Sequence, residues 1–211
     1  MDELNLVAEL GKFGTPTLAE VSPEALALSP TIAPLYRPIQ LAGIAYPVLL
    51  GTKDNLAIHF AVAEAPPGSV LVAVTGREIH AGFWGEVLTE AARARDIRGL
   101  VTDGAVRDVR AIRDISFPVF CAGIAIPGTI KNFTGLLNEA LALGDVTIRP
   151  GDFIIGDDDG VVVVRREAGS DVLEKAEART AKELAFIKRL RDGELTIDLF
   201  DLRGKREAKS R

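Results

Sequence analysis

The 211-residue chain has a single cysteine, Cys121. One thiol excludes an internal disulfide framework and a cysteine-built zinc cluster, and its scarcity fits a reducing compartment. Histidine is nearly as rare: His59 and His80 are the only two, too few for a histidine-rich metal site. A basic excess is also missing. The formal net charge is −5, whereas a nucleic-acid-binding surface ordinarily carries the opposite sign. No run approaches the roughly 18 consecutive apolar residues of a membrane-spanning helix. The first residues, MDELNLVAELGKFG, lack the basic and apolar regions of a signal peptide. A cytoplasmic protein is expected, with no nucleic-acid or membrane partner. The glycine patterns G-x-G-x-x-G and Walker type are absent, so nothing points to a nucleotide.

What remains is ordinary globular material. Hydrophobic residues make up 47% and charged residues 26%, and the length suits one domain, residues 1–211, with a sizeable core. Residues 3–12 place Leu4, Val7 and Ala8 at helical spacing and stop at Gly11. Thr15-Pro16-Thr17 suits a second helical start. Prolines then punctuate the chain, and IQLAGIA and PVLLG read as two short strands. Asp54 is placed to cap a helix that runs to Glu64.

From Ser69 the pattern alternates. SVLVAV is a strand, TGREIHAG a loop, FWGEVLTEAARAR a helix and RGLVT a strand. A short helix from near Arg107 and the strand FPVFCAGI follow. Such alternation predicts parallel βαβ units. Beyond Gly135 apolar runs separated by Gly-Asp and Asp-Gly turns predict a β-meander. Asp157-Asp158-Asp159-Gly160 has the look of a calcium loop, but Val161 and Ala168 stand where oxygen ligands would be required. A hairpin turn at Asp159-Gly160 is the better reading. Ser170 is placed to cap a long helix to about Arg191, with Val172, Leu173, Ala176, Leu184, Ile187 and Leu190 on one stripe. The stretch ELTIDLFDL after it reads as extended and apolar, suited to packing on a neighbouring subunit. The tail from Arg203 is basic and reads as solvated.

Two segments can carry chemistry. Gly85 and Glu86 open a helix after a strand, where free backbone amides form an anion site and glycine allows close approach. Glu86 is equally a dipole-favoured surface residue. Arg107 and Asp108 follow a strand and an Asp-Gly turn, where ligand crevices form in open parallel sheets. An arginine can grip a carboxylate with two hydrogen bonds. An aspartate can hold a divalent ion that keeps several waters. The pair suits a 2-oxo acid. Asp108 as the cap of its own short helix is an equally consistent reading. His59 reads as a core histidine, and the role of His80 is open.

The run FWGEVLTEAARARDIRGLVTDGAVRDVRAIRDISFPVFCAGIAIPGTIK closely resembles the RraA-like family. That family includes divalent-metal-dependent 4-hydroxy-4-methyl-2-oxoglutarate aldolases and regulators of ribonuclease E activity. APPGSVLVAV, GDDDGVVVV and AKELAFIKRLRDGEL also fit, so the resemblance extends from about Asp54 to Leu202. Glu86, twenty intervening residues, then Arg107-Asp108 matches the acidic-X20-Arg-Asp signature of the aldolase branch. Regulators of the ribonuclease type typically lack the aspartate after the arginine.

The resemblance implies an α/β fold, a three-layer swivelling β/β/α-type domain, assembled as homotrimers or homohexamers with sites between subunits. It implies that Arg107 binds the pyruvate carboxylate and that Asp108 holds Mg2+ or Mn2+. Backbone amides of Gly85, Glu86, Val87 and Leu88 would line the substrate, with the Glu86 carboxylate near the enolate. Glu183 would reach the metal's waters from a neighbouring subunit, and a solvated helix face is its alternative. The implied activity is cleavage of 4-hydroxy-2-oxo acids to pyruvate, with decarboxylation of oxaloacetate through the same enolate. Lys53 and Lys131 are not beside the motif, which favours the metal route over a Schiff-base lysine. A non-catalytic ribonuclease regulator and a lyase for a sugar-derived 2-oxo acid are the alternatives. GTPTLAEV and TGREIHAG depart from the family pattern, which leaves the substrate open.

Overall fold

A computed structural model describes residues 2–208. Helices α1 (Glu3–Leu10) and α2 (Thr15–Val21) lead into β1 (Ala25–Ala27), β2 (Ala33–Pro34) and β3 (Leu41–Leu49). The middle of the chain is α3 (Leu56–Glu64), β4 (Ser69–Val74), β5 (Gly82–Trp84), α4 (Glu86–Arg93), β6 (Gly99–Thr102), β7 (Ala105–Val106), α5 (Val109–Ile115), β8 (Val119–Cys121) and β9 (Gly123–Ile124). Then come β10 (Leu136–Leu137), β11 (Leu141–Leu143), β12 (Val146–Ile148), β13 (Phe153–Asp157) and β14 (Gly160–Val164). Helices α6 (Gly169–Arg191), α7 (Thr196–Leu199) and α8 (Arg203–Ala208) complete the described chain. Lys209 and Arg211 of the basic tail lie outside the described residues. No described helix is long and apolar enough to cross a membrane.

The main sheet is mixed, in the order β1-β14-β13-β3-β4-β6-β8-β2, with β10 also on β3. Its β3-β4-β6-β8 part is parallel, as the alternating pattern predicts. Its β1-β14-β13-β3 part is antiparallel, built on the predicted meander. Period-two burial explains the layers. Val70, Val72 and Val74 of β4 pack in one core with the β11–β12 hairpin residues Leu143 and Ile148. Leu71 and Ala73 turn to the other face and pack with α3 and α4. Phe153 and Ile155 of β13 meet α1, α2 and α6 in a third cluster. A buried ion pair, Arg165 to Asp152 at 2.6 Å, bridges the end of β14 and the turn before β13. Cys121 is buried, which pushes its thiol up to about 11 and leaves it an unreactive core residue.

Several elements differ from the sequence expectation. IQLAGIA and PVLLG form one strand, β3, that runs through Pro47. Antiparallel β13 pairs residues up to Ile44 and β10 begins at Val48. The missing Pro47 N–H therefore falls between two partners. Phe83 and Trp84 are strand, not helix: they are fully buried in β5, and the helix begins at Glu86. FPVFCAGI divides into β8 and β9, which belong to different sheets. Asn55, not Asp54, holds the cap position of α3. Asp54 accepts from the amides of Leu56, Asn132 and Phe133, which pins the later loop to the start of α3. The α6 helix starts at Gly169, one residue ahead of Ser170, because a 3-10 turn over Arg166–Ala168 feeds it. ELTIDLFDL contains the helical turn α7 rather than a strand, with Leu195, Ile197 and Phe200 exposed. At the hairpin, Asp157 and Gly160 pair and Asp158-Asp159 form the turn. The Asp157 carboxylate is occupied by Thr15 and the Asp159 amide.

Candidate active site

After each strand of the parallel set β4, β6, β8, the chain bends into a second parallel sheet, β5-β7-β9. Backbone bonds lock that small sheet: Arg107 N donates to Trp84 O at 2.9 Å, Ala125 N to Val106 O at 3.0 Å, and Gly82 N to Pro127 O at 2.8 Å. These bonds bring the starts of α4 and α5 and the loop after β9 around one cavity of about 430 Å³. Gly85, Val87, Leu88, Arg107 and Asp108 line one part of it. Asn55, His59, Thr129 and Lys131 line another.

The geometry settles what Asp108 caps. It stands at the cap position of α5 in the left-handed region, φ 61° and ψ 37°, and makes no side-chain bond to that helix. A short polar side chain makes this conformation tolerable. Its Oδ2 instead accepts from the Glu86 amide at 3.1 Å, the first amide of α4. Asp108 therefore caps the neighbouring helix and joins the two loops. This contact explains Gly85. A Cβ there would run into Asp108 Oδ2, and would also sit 3.3 Å from Arg107 Cγ. Thr89 N closes the first turn on Gly85 O at 3.0 Å. The Val87 and Leu88 amides precede the regular ladder, at the positive end of the helix. The Arg107 Nε stands 3.7 Å from Asp108 Oδ2, and both side chains are about half exposed. So loose and solvated an ion pair leaves both groups able to engage a ligand.

The far part of the cavity was not legible as a site. His59, read as a core histidine, borders the cavity through the α3 face. Lys131, expected away from the motif, is a lining residue. Asp54 brings it there by holding the next two amides, Asn132 and Phe133. Burial works to raise the Asp54 carboxyl, but the Leu56, Asn132 and Phe133 amides and the Lys131 charge outweigh it and hold the carboxyl low. Asn55 donates its Nδ2 to Phe83 O at 2.9 Å, which fixes the amide orientation. Its buried Oδ1 accepts no hydrogen bond among the described residues. Lys53 is not among the lining residues, and His80 is exposed on the 75–82 loop.

Burial, and then the charge of Lys131, push the His59 imidazole below its ordinary range. The unfolded chain thus takes up a proton in a pH window where native His59 does not. Stability must fall as pH drops from the ordinary imidazole range through that window. Acidification is expected to lower the thermal midpoint of the wild type more than that of His59→Gln, read by calorimetry across a pH series. Parallel losses in both proteins would assign the effect elsewhere.

The remaining expected residues lie apart. The Glu86 side chain is exposed and lines the adjoining surface depression with Glu90, Asp108 and Arg110. Only its amide engages the site directly. Glu183 sits on α6, paired with Arg179 at 2.8 Å, and is not a lining residue of this cavity. Among the described residues no group of three or more His, Cys, Asp or Glu is arranged to hold a metal ion. That donor set does not suit zinc, which takes three or four protein ligands. A single half-exposed carboxylate does suit Mg2+ or Mn2+, which bind through one or two carboxylates, waters and substrate oxygens.

Fold and cavity define a mixed α/β protein with a cationic ligand pocket at the carboxyl ends of short parallel strands. The RraA-like family model, described as Aldolase/RraA, matches residues 15–163. The chain belongs to that family. A protein of Halalkalibacterium halodurans that carries a provisional name as 4-hydroxy-4-methyl-2-oxoglutarate aldolase is 33% identical over 195 residues, 92% of this chain and 93% of its own. An uncharacterized protein from Pseudomonas syringae pv. tomato is similar in structure, with a TM-score of 0.80 at 25% identity over 90% of each chain. The RNA-processing inhibitor RraA from Thermus thermophilis shares the fold, with a TM-score of 0.66 at 24% identity over 72% of this chain and 92% of that one.

Proposed function

We propose that this chain is a divalent-metal-dependent lyase that cleaves 4-hydroxy-2-oxo acids, such as 4-hydroxy-4-methyl-2-oxoglutarate, to pyruvate. The observation that carries the reading is the junction of Arg107, Asp108 and the α4 amides in one cavity. Arg107 and the Val87 and Leu88 amides bind the carboxylate of the pyruvate half. Asp108 holds Mg2+ or Mn2+, which when bound supplies Lewis acidity toward the keto group. Asn55 Oδ1 accepts from the C4 hydroxyl and orients it. His59, held toward its neutral form, accepts the hydroxyl proton directly or through a water. The C3–C4 bond then breaks, C4 becomes a carbonyl, and the electron pair remains on the pyruvate half as the enolate. Arg107 stabilises that charge by a preorganised contact. Protonation at C3 releases pyruvate. Oxaloacetate loses carbon dioxide through the same enolate. Lys131 attracts a second carboxylate at the far end of the substrate.

We further assign Glu86 to the mouth of the site and Glu183 to the site of a neighbouring copy, in a homotrimer or homohexamer. Val87 and Ile130, apolar and exposed beside the cavity, would be covered in that assembly. The test is release of pyruvate from a panel of 4-hydroxy-2-oxo acids and oxaloacetate, coupled to lactate dehydrogenase. Turnover is expected to stop with EDTA and to return with excess Mg2+ or Mn2+. Full activity in EDTA overturns the metal assignment. Absence of pyruvate from every member of the panel, with a ribonuclease recovered by pull-down, would favour the regulator reading.

A further inference from the structure

The small sheet β5-β7-β9 delivers its carboxyl ends to the cavity described above. The parallel strands β4, β6 and β8 of the main sheet have carboxyl ends of their own, and these deliver residues to a different cavity. Arg77 and Ile79 follow β4, Asp103 follows β6 and Ala122 follows β8, and all four line a cavity of about 240 Å³. Ligand crevices in open α/β sheets form outside the carboxyl ends of parallel strands. Here that rule applies twice, once to each sheet, and the proposed lyase site uses only one of the two.

The second cavity has a cation at its rim, the exposed Arg77, whose backbone is held from below. Asp103 is buried, and both its carboxylate oxygens are engaged: Oδ1 accepts from Thr75 N at 2.6 Å and Thr75 Oγ1 at 2.9 Å, and Oδ2 from Arg77 N at 2.9 Å. Asp103 is thus a bracket and not a ligand. It holds Arg77 in the left-handed region at φ 65°. A long side chain adopts that backbone at a cost, and such cost persists where the surroundings over-determine it. The Arg77 guanidinium makes no ion pair among the described residues. The cavity it lines is also lined by the apolar Ile32, Ile79 and Leu143 and by the hydroxyl residues Ser29 and Thr31. Those hydroxyls bond each other at 2.9 Å and retain further capacity.

We infer that this cavity binds a short aliphatic monocarboxylate, its carboxylate on Arg77 and its hydrocarbon body against Ile79 and Leu143. One guanidinium balances one charge. The Asp103 carboxylate, which lines the same cavity, disfavours a dianion such as phosphate. The inference does not depend on the lyase reading.

The experiment is a TROSY NMR titration of the intact protein with 3-methylbutanoate. Saturable shifts are expected at Arg77, Ile79 and Gly144, with a Kd of about 1 mM for so small a ligand. Arg77→Gln keeps the amide that Asp103 holds, and Ala122→Leu fills the cavity without touching the cation. Each is expected to weaken binding about tenfold or more. The neutral isostere 3-methylbutanamide should bind similarly weakly. Equal binding by the amide or by Arg77→Gln overturns the inference. So do non-saturating shifts, and so do shifts centred on Gly85 and Arg107 instead.

Discussion

Replacing Arg107 by alanine is expected to lower pyruvate release by about 10³-fold, about 4 kcal/mol of transition-state stabilisation. The side chain is half exposed and its one close charged partner, Asp108, is 3.7 Å away. Folding therefore loses little. The backbone bond from Arg107 N to Trp84 O, which holds β7 to β5, survives the substitution. The proposed enolate, by contrast, loses the guanidinium assigned to neutralise it. Steady-state rates on a 4-hydroxy-2-oxo acid and on oxaloacetate should fall together, because the proposed reaction takes both through the same enolate. The thermal midpoint should stay near the wild type. Loss of one activity alone would place Arg107 at a substrate-specific contact instead of the shared pyruvate half. Unchanged rates on both would remove it from the site.

Gly85→Ala is expected to lower activity by about 10²-fold while the chain stays folded. The backbone at Gly85 is extended, φ −162°, so alanine meets no conformational barrier. Its Cβ meets the Asp108 carboxylate instead. Asp108 is exposed enough to swing away, which breaks the bond to the Glu86 amide. A lost charge-assisted cap at a helix start costs about 1 kcal/mol of stability. The main loss is positional, since Asp108 no longer stands beside Arg107. Two measurements separate this account from general damage. The Mg2+ concentration giving half-maximal activity should rise, and the double variant with Asp108→Ala should be no worse than Asp108→Ala alone. Additive losses would show that the methyl acts on something other than Asp108.

The sequence by itself determined the elements whose signal is local. Alternating valines in SVLVAV, Gly11 at the end of α1 and the Asp turn between β13 and β14 each act within a few residues, where backbone preference and side-chain period decide the outcome. It also determined the two loops that meet at the site, because helix starts after strands carry free amides wherever they occur. Only the tertiary structure decided what Asp108 does. Its own helix offers it no bond, and the amide it caps lies 22 residues away across the small sheet. The same holds for the far wall of the cavity. Nothing local marks Lys131 as a site residue. It arrives because Asp54, 77 positions earlier in the chain by residue number, binds the two amides that follow it. Phe83 and Trp84 read as helix because their neighbours do. Pairing of β5 with β7, and burial of both rings in the core shared with β4 and α4, make them strand. Chemistry-bearing residue types were thus visible from the chain, and their assembly into a site depended on long-range backbone pairing that no local pattern encodes.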